Sequence, residues 1–224
     1  MKREIITTKD GSKTIHLPEW NENYHSYHGA YQEAIHVFIK SGLNKISSSK
    51  KDVSILEMGL GTGLNALLTL INGAEKNIHY SGIEAFPVSE IEIKSLDYTS
   101  LNELKNNKVD FLKMHQVSWN ELHEITPRFH LLKIHKKLLE FDPKENTYDI
   151  IYFDAFGPRV QPELWDLAVF KKLYNSLNAN GIFVTYCCKG QVRRDLITAG
   201  FEIEKIPGPP GKREMLRGWK RLGY

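Results

Sequence analysis

Val53-Ser54-Ile55-Leu56-Glu57-Met58-Gly59-Leu60-Gly61-Thr62-Gly63-Leu64-Asn65-Ala66-Leu67-Leu68-Thr69-Leu70 is the stretch on which the fold turns. Its lead-in, Val53-Ser54-Ile55-Leu56, is short, apolar and β-branched, which predicts a buried strand. The lead-out, Ala66-Leu67-Leu68-Thr69-Leu70, predicts a helix starting near Asn65. Between them Gly59, Gly61 and Gly63 allow a sharp turn and a close approach to a ligand where any Cβ would clash. Strand, glycine turn and helix in that order put a pocket at the carboxyl end of a first strand, where open α/β sheets bind nucleotides.

Spacing narrows the ligand. The dinucleotide fingerprint G-x-G-x-x-G has its third glycine one place later than the G-x-G-x-G found here. A pyrophosphate wants N–H groups at a helix N-terminus and no anion beside them. Glu57, just before the turn, argues instead for a ligand with a positive charge, a sulfonium or an ammonium. The plainer alternative is a tight turn that holds nothing.

With 224 residues the chain makes one domain, or one domain with a small lobe, and a 41% hydrophobic content supplies its core. Met1-Lys2-Arg3-Glu4 begins no secretory signal, and no apolar run approaches the ~20 residues a spanning helix needs, so a cytoplasmic protein is expected and no membrane partner. The two cysteines are adjacent, Cys187-Cys188. Their Cα atoms lie ~3.8 Å apart, too close for a relaxed disulfide, and they lack C-x-x-C metal spacing. They read as buried thiols in a strand. No histidine pair has metal-ligand spacing with a carboxylate, so no metal is expected. A net charge of +3 permits a nucleic-acid partner without demanding one.

Ile5-Ile6-Thr7-Thr8 and Thr14-Ile15-His16-Leu17 flank an Asp-Gly turn and predict a β-hairpin outside the main domain. Asn23 to Ala30 is rich in tyrosine and histidine and reads as a loop. Ala30, Ala34, Val37 and Phe38 then form one helical stripe, which ends near Gly42. Residues 1–45 are therefore expected as a hairpin-and-helix lobe and 46–224 as the main domain. Ile78 to Ile83 predicts a second strand, and Glu84 at its end is placed to accept hydrogen bonds from ribose hydroxyls. Phe86 is a candidate to pack on an adenine, and Pro87 to begin the next helix. Residues 98–146 carry no clean period beyond a weak strand at 129–135 and a short helix at 136–141. Tyr148 to Phe153 is a buried strand, and Asp154-Ala155-Phe156-Gly157-Pro158 leaves it at the switch point, beside the glycine turn. A helix over 163–177 capped by Gly181, strand 182–186, helix 191–199, strand 201–206 and a final antiparallel strand 214–219 complete the alternation.

These residues resemble a family. E-x-G-x-G-x-G is similar to motif I of S-adenosylmethionine-dependent methyltransferases. Asp154-Ala155-Phe156-Gly157-Pro158 with Pro162-Glu163-Leu164-Trp165, and Gly211-Lys212-Arg213-Glu214-Met215-Leu216, resemble the D-x-F-x-P…N-P-x-x-W and G-x-K-R-E-M signatures of the tRNA 5-methylaminomethyl-2-thiouridine methyltransferases, the MnmC amino-terminal domain or stand-alone MnmD type. Glu84-Ala85-Phe86-Pro87 and the loop around Tyr24 look like the same family. The resemblance covers residues 23–217. Gln161 stands where the signature has Asn, and Ile134-His135-Lys136-Lys137 offers no acid to read the adenine amino group.

What the resemblance implies is an α/β fold, a seven-stranded doubly wound Rossmann-like methyltransferase sheet with a small N-terminal β-hairpin lobe. It implies S-adenosylmethionine as cofactor, held by Glu57, Gly59, Gly61, Gly63, Asn65, Glu84 and Phe86. It implies methyl transfer to the amine of 5-aminomethyl-2-thiouridine at the tRNA wobble position, after other enzymes have installed the aminomethyl group. Asp154 is the expected proton acceptor, because a free alkyl amine with a pKa near ~10 arrives protonated. Tyr24, His28, Phe156 and Pro158 would meet the flipped base. Lys189, Arg193, Lys212 and Arg213, with Arg194, Arg217, Lys220 and Arg221 nearby, would meet anticodon-arm phosphates. Bifunctional members continue into a flavin oxidoreductase domain beyond the point where this chain ends, so that activity is not expected. The rivals are a methyltransferase for a small-molecule or protein amine, and a nucleotide-binding module or nicotinamide enzyme.

Overall fold

The computed structural model describes residues 2–221. Strands β1 (Glu4–Thr7) and β2 (Lys13–Leu17) pair antiparallel across the Asp-Gly turn, where Gly11 takes φ 84°, and β3 (Glu22–Asn23) adds to β2. The hairpin is thus a three-stranded sheet, and it does not stand apart. Ile15 and Leu17 are buried in the same apolar cluster as Val53 and Ile55 of the main sheet. Helix α1 (Ala30–Ala34) runs on as π-helical Ile35–Lys40 and turns Ala30, Ala34, Val37 and Phe38 inward, as their spacing predicts.

The alternating part follows: β4 (Asp52–Met58), α2 (Leu64–Asn72), β5 (Asn77–Glu84), α3 (Glu90–Leu96), α4 (Lys108–Gln116), β6 (Leu122–Thr126) and β7 (Phe129–His135). Then come β8 (Tyr148–Phe153), α5 (Leu167–Ser176), β9 (Leu177–Thr185), α6 (Gly190–Ala199), β10 (Glu202–Pro207) and β11 (Glu214–Trp219). Among the described residues the main sheet has eight strands in the order β10-β11-β9-β8-β4-β5-β7-β6. The five central strands, from β9 to β7, are parallel. Strand order reverses between β4 and β8, so the chain ends leaving these two strands face one crevice. Period-two alternation splits the core into two layers. Val53, Ile55, Ile150 and Tyr152 face α2 and the N-terminal elements, whereas Leu56, Met58, Ile151 and Phe153 face α5 and α6.

The eighth strand departs from the expected seven. It is β6, an edge strand that pairs antiparallel with β7 alone. Several boundaries also differ, among them the start of α5, which opens at Leu167 after a 3-10 turn over Pro162–Trp165. Pro87 lies before α3, which starts from a capping box between Ser89 and Glu92. Helix α5 stops at Ser176 without help from Gly181. The next residue already pairs with Tyr148, and the ladder resumes at Ile182, so Gly181 lies in an irregularity of β9. Both cysteines lie beyond β9, and only Cys187 is buried. No helix of the described residues is long and apolar enough to cross a membrane, and no group of three metal-ligating side chains occurs among them.

Candidate active site

The glycine turn is held from below by its neighbours in the sheet. Gly59 and Leu60 both donate their N–H to the Ile83 carbonyl, at 3.1 and 2.9 Å. Gly59 takes φ 95°, and a Cβ there would fall 2.9 Å from the Asp154 carbonyl oxygen. The ends of β4 and β8 therefore touch, which only glycine permits. Gly61, at φ 50°, donates its N–H to Glu84 Oε2 at 2.9 Å, and Phe86 donates to Oε1 at 2.8 Å. Glu84 at the end of β5 is thus pinned by two backbone donors.

Above this turn opens a cavity of about 1100 Å³. It brings together Gly59, Gly61, Asn65, Glu84, Phe86, Tyr24, Asp154, Phe156 and Lys212 of the predicted set. Gly63 is not among its walls; it precedes α2 in the left-handed region and packs against His115. Pro158 is outside as well, and the exposed His28 lies against Gly211 instead. Glu57 also differs from expectation. It is fully buried, and both its oxygens accept bonds from inside the protein, from Asn65 Nδ2 at 2.8 Å and Tyr80 OH at 2.8 Å. It reaches the cavity only through Asn65.

Asn65 links two carboxyl groups. Its Nδ2 donates to Glu57 Oε1 and, at 2.8 Å, to Asp154 Oδ2. That fixes which end of the amide is nitrogen and leaves Oδ1 buried with no partner among the described residues. An orphaned acceptor beside a cavity calls for a ligand that donates. Asp154 Oδ1 makes no hydrogen bond among the described residues. Desolvation at the end of β8, reinforced by the charge of Glu33, pushes the Asp154 carboxyl up to about 7, against the pull of Asn65 and Lys212. Burial raises Glu57 well above the carboxylate range, with the Asp154 charge adding to it.

The far wall is aromatic. Trp20 and Tyr24 meet Phe156 edge-on, with ring centroids 5.5 and 5.1 Å apart. Trp165 Nε1 holds the Phe156 carbonyl at 2.8 Å, and Arg159 ties the loop beyond it to Glu22 at 2.6 Å. Overall the walls carry seven carboxyl side chains against three cations. Each cation already faces an acid of the same wall: Arg3 with Glu92, Lys137 with Glu140, and Lys212 with Glu33. The surplus is negative and suits a cationic ligand. Glu140, in the turn after β7, puts a carboxylate in the wall close to the stretch where residues 134–137 offered none.

The basic residues divide into two groups. Lys189, Arg193 and Arg213 are exposed and form no ion pair among the described residues. Lys212, Arg217 and Arg221 are paired, with Glu33, Glu204 and Glu202, and Lys220 binds the Leu177 carbonyl. Sequence reasoning missed Trp20, Glu33 and Tyr186. Only Glu33 left a signal: it is a carboxylate on the inward stripe of α1, between Ala30 and Val37.

A doubly wound sheet with a glycine turn and an acid-rich cavity at its switch point defines the class as an α/β enzyme that binds a cationic nucleoside cofactor. The family described as S-adenosyl-L-methionine-dependent methyltransferase matches residues 100–221. The chain belongs to that family, and its counterpart there is the methyltransferase portion of the MnmC proteins. The tRNA 5-methylaminomethyl-2-thiouridine biosynthesis bifunctional protein MnmC of Burkholderia thailandensis is 30% identical over 243 residues, covering 96% of this chain and 34% of that protein. Its namesake in Leptospira borgpetersenii is 33% identical over 220 residues, covering 89% and 32%. That of Hydrogenovibrio crunogenus is 31% identical over 175 residues, covering 73% and 26%. The chain thus spans about a third or less of the length of these curated relatives. The crystal structure of MnmC2 from Aquifex aeolicus shares the fold, with a TM-score of 0.75 at 24% identity over 97% of this chain and 70% of that one.

The residues present fit the cofactor. The glycine turn clears space where a side chain would intrude, Glu84 stands at the end of β5, and Asn65 Oδ1 awaits a donor.

Proposed function

We propose that the protein methylates the aminomethyl group of 5-aminomethyl-2-thiouridine at the tRNA wobble position, giving 5-methylaminomethyl-2-thiouridine, after other enzymes have installed the aminomethyl group. The observation that carries this reading is the Asp154 carboxyl, half-buried in an acid-rich, aromatic-walled cavity that it shares with the glycine turn. The relatives' names supply the nucleoside.

Gly59, Gly61, Asn65, Glu84 and Phe86 hold the cofactor, with Glu84 toward the ribose and Phe86 toward the adenine. S-adenosylmethionine, when bound, supplies a methyl group on a sulfonium. Everything else is positioning and proton handling by the chain, and positioning is worth ~7–11 kcal/mol. The acceptor enters as an ammonium with a pKa near ~10. An ordinary aspartate at 3.8 is a poor match for that proton. At about 7, Asp154 closes roughly half of the gap. Its free Oδ1 receives the proton, and the nitrogen lone pair is left to attack. Trp20, Tyr24 and Phe156 offer faces and edges to the base, each stacked contact contributing ~1–3 kcal/mol. Lys189, Arg193 and Arg213 meet phosphates outside the cavity.

Nucleoside mass spectrometry of tRNA lacking the methyl group, after incubation with the protein and S-adenosylmethionine, tests the reading. The expected result is conversion of the aminomethyl nucleoside to its monomethyl form. Methyl transfer to free amines with none to tRNA would overturn it in favour of a small-molecule enzyme.

A further inference from the structure

Helix α1 carries a carboxylate on its inward face, Glu33, which is only 7% exposed. Its Oε2 accepts the Ser26 N–H at 2.6 Å, and its Oε1 pairs with Lys212 Nζ at 2.9 Å. Lys212 comes from the turn between β10 and β11, and its Nζ sits 4.0 Å from the centre of the Tyr186 ring. The Tyr186 hydroxyl donates to the Ala155 carbonyl at 2.8 Å, one residue from Asp154. Glu33, Lys212 and Tyr186 line the same cavity as Asp154. An ion pair in such a place contributes little to stability once desolvation is counted, so its value lies elsewhere. Titratable groups surround Asp154 from several elements: Glu33 from α1, Lys212 from the β10–β11 turn, Tyr186 from beyond β9, and Glu57 and Tyr80 behind Asn65. Glu33 opposes ionisation of Asp154 and Lys212 favours it.

We propose that Glu33 and Lys212 are positioning residues for the transfer, an ion pair that holds the charge balance at the Asp154 carboxyl and keeps it ready to take the acceptor's proton. This rests on the proposed function, whose acceptor is a cationic amine. It also removes Lys212 from the phosphate-binding set. With Glu33 alone, the carboxyl would hold its own proton too tightly to accept another. With Lys212 alone, it would be too weak a base to take one from an ammonium. The two together bracket the working range, and each opposes the other's effect.

The test compares E33Q, K212M and K212R with the wild type by two readouts. The first is the titration of the Asp154 carboxyl carbon by NMR in 13C-labelled protein, which needs no substrate. The second is the acidic limb of kcat/KM for methyl transfer to tRNA carrying the aminomethyl nucleoside. Expected is a wild-type midpoint of about 7. It falls by about one pH unit in E33Q, rises by a similar amount in K212M and stays in place in K212R. The kinetic limb moves in the same directions, and the salt dependence of tRNA binding is unchanged in K212M. Midpoints that do not move, or that move the same way in E33Q and K212M, overturn the inference. A wild type inactive on tRNA overturns the proposed function and leaves the NMR titration to decide this one. S-adenosylhomocysteine binding and the melting temperature report on folding. Should K212M not fold, a lowered midpoint in E33Q beside an unmoved K212R supports the proposal, and any other pattern overturns it.

Discussion

The two ends of the cavity are made of different material. At one end the wall is backbone: the turn after β4, with Glu84 pinned by the N–H groups of Gly61 and Phe86. All of it comes from one continuous strand–helix–strand unit. At the other end the wall is side chain, gathered from Trp20, Tyr24, Glu33, Asp154, Phe156, Tyr186 and Lys212. These residues come from segments far apart in sequence, and they meet only when the sheet is complete. A backbone wall tolerates almost no substitution but needs little around it. A side-chain wall can be altered one group at a time.

The contrast is easiest to break at Asp154. Replacing it with Asn should lower methyl transfer by about a thousandfold, within the range for losing a general base, while calorimetry finds S-adenosylhomocysteine binding nearly unchanged. Loss of both together would show that the two ends are not separable. Gly59→Ala should do what Asp154→Asn does not. Its Cβ meets the Asp154 carbonyl in a backbone conformation that costs ~1–3 kcal/mol, so cofactor affinity and turnover should fall together by roughly tenfold to a hundredfold. Phe156→Ala should raise KM for tRNA about tenfold with cofactor affinity intact, as expected for one lost stacking wall.

A smaller effect concerns stability. Asp154 is raised in the folded protein to about 7 from 3.8, so its contribution to stability is fully present below 3.8 and is lost as the pH rises toward 7. Asp154→Asn should therefore raise the melting temperature by a few degrees at pH 8 and change it little near pH 3.5. A mutant no more stable at pH 8 would mean that the carboxyl is not held out of water. Smallest of all, Arg213→Gln should weaken tRNA binding only a few-fold and reduce the dependence of log affinity on log salt by about one unit.

What could be read from the sequence follows that division only in part. The glycine turn, Glu84 and Asp154 were legible because strand ends and turns leave local marks, and parallel strands buried on both faces read as apolar runs. The far wall was legible only in part: Tyr24, Asp154 and Phe156 stand in marked stretches, and the residues between them do not. Trp20 and Tyr186 carry no pattern, and Lys212 looked like one more cation in a basic stretch. Glu33 alone broke an apolar stripe. Strand β6 was missed because Ile125 is its one buried residue, so no apolar alternation shows. Helix α4 was missed because it buries just Phe111 and Met114. An acid just before the turn points Glu57 at a cationic ligand, but a strand alternates its faces, and position 57 points inward with Val53 and Ile55.

Strand β11 is inserted between β9 and β10, and Met215 and Leu216 are fully buried there. A chain made from its N-terminus must leave that slot open until residues 214–219 have emerged. The glycine turn can close well before then, because its supporting strands are all upstream. Lys212 enters the cavity with that same late strand, so in a nascent chain the backbone end of the cavity can form before the side-chain end is complete.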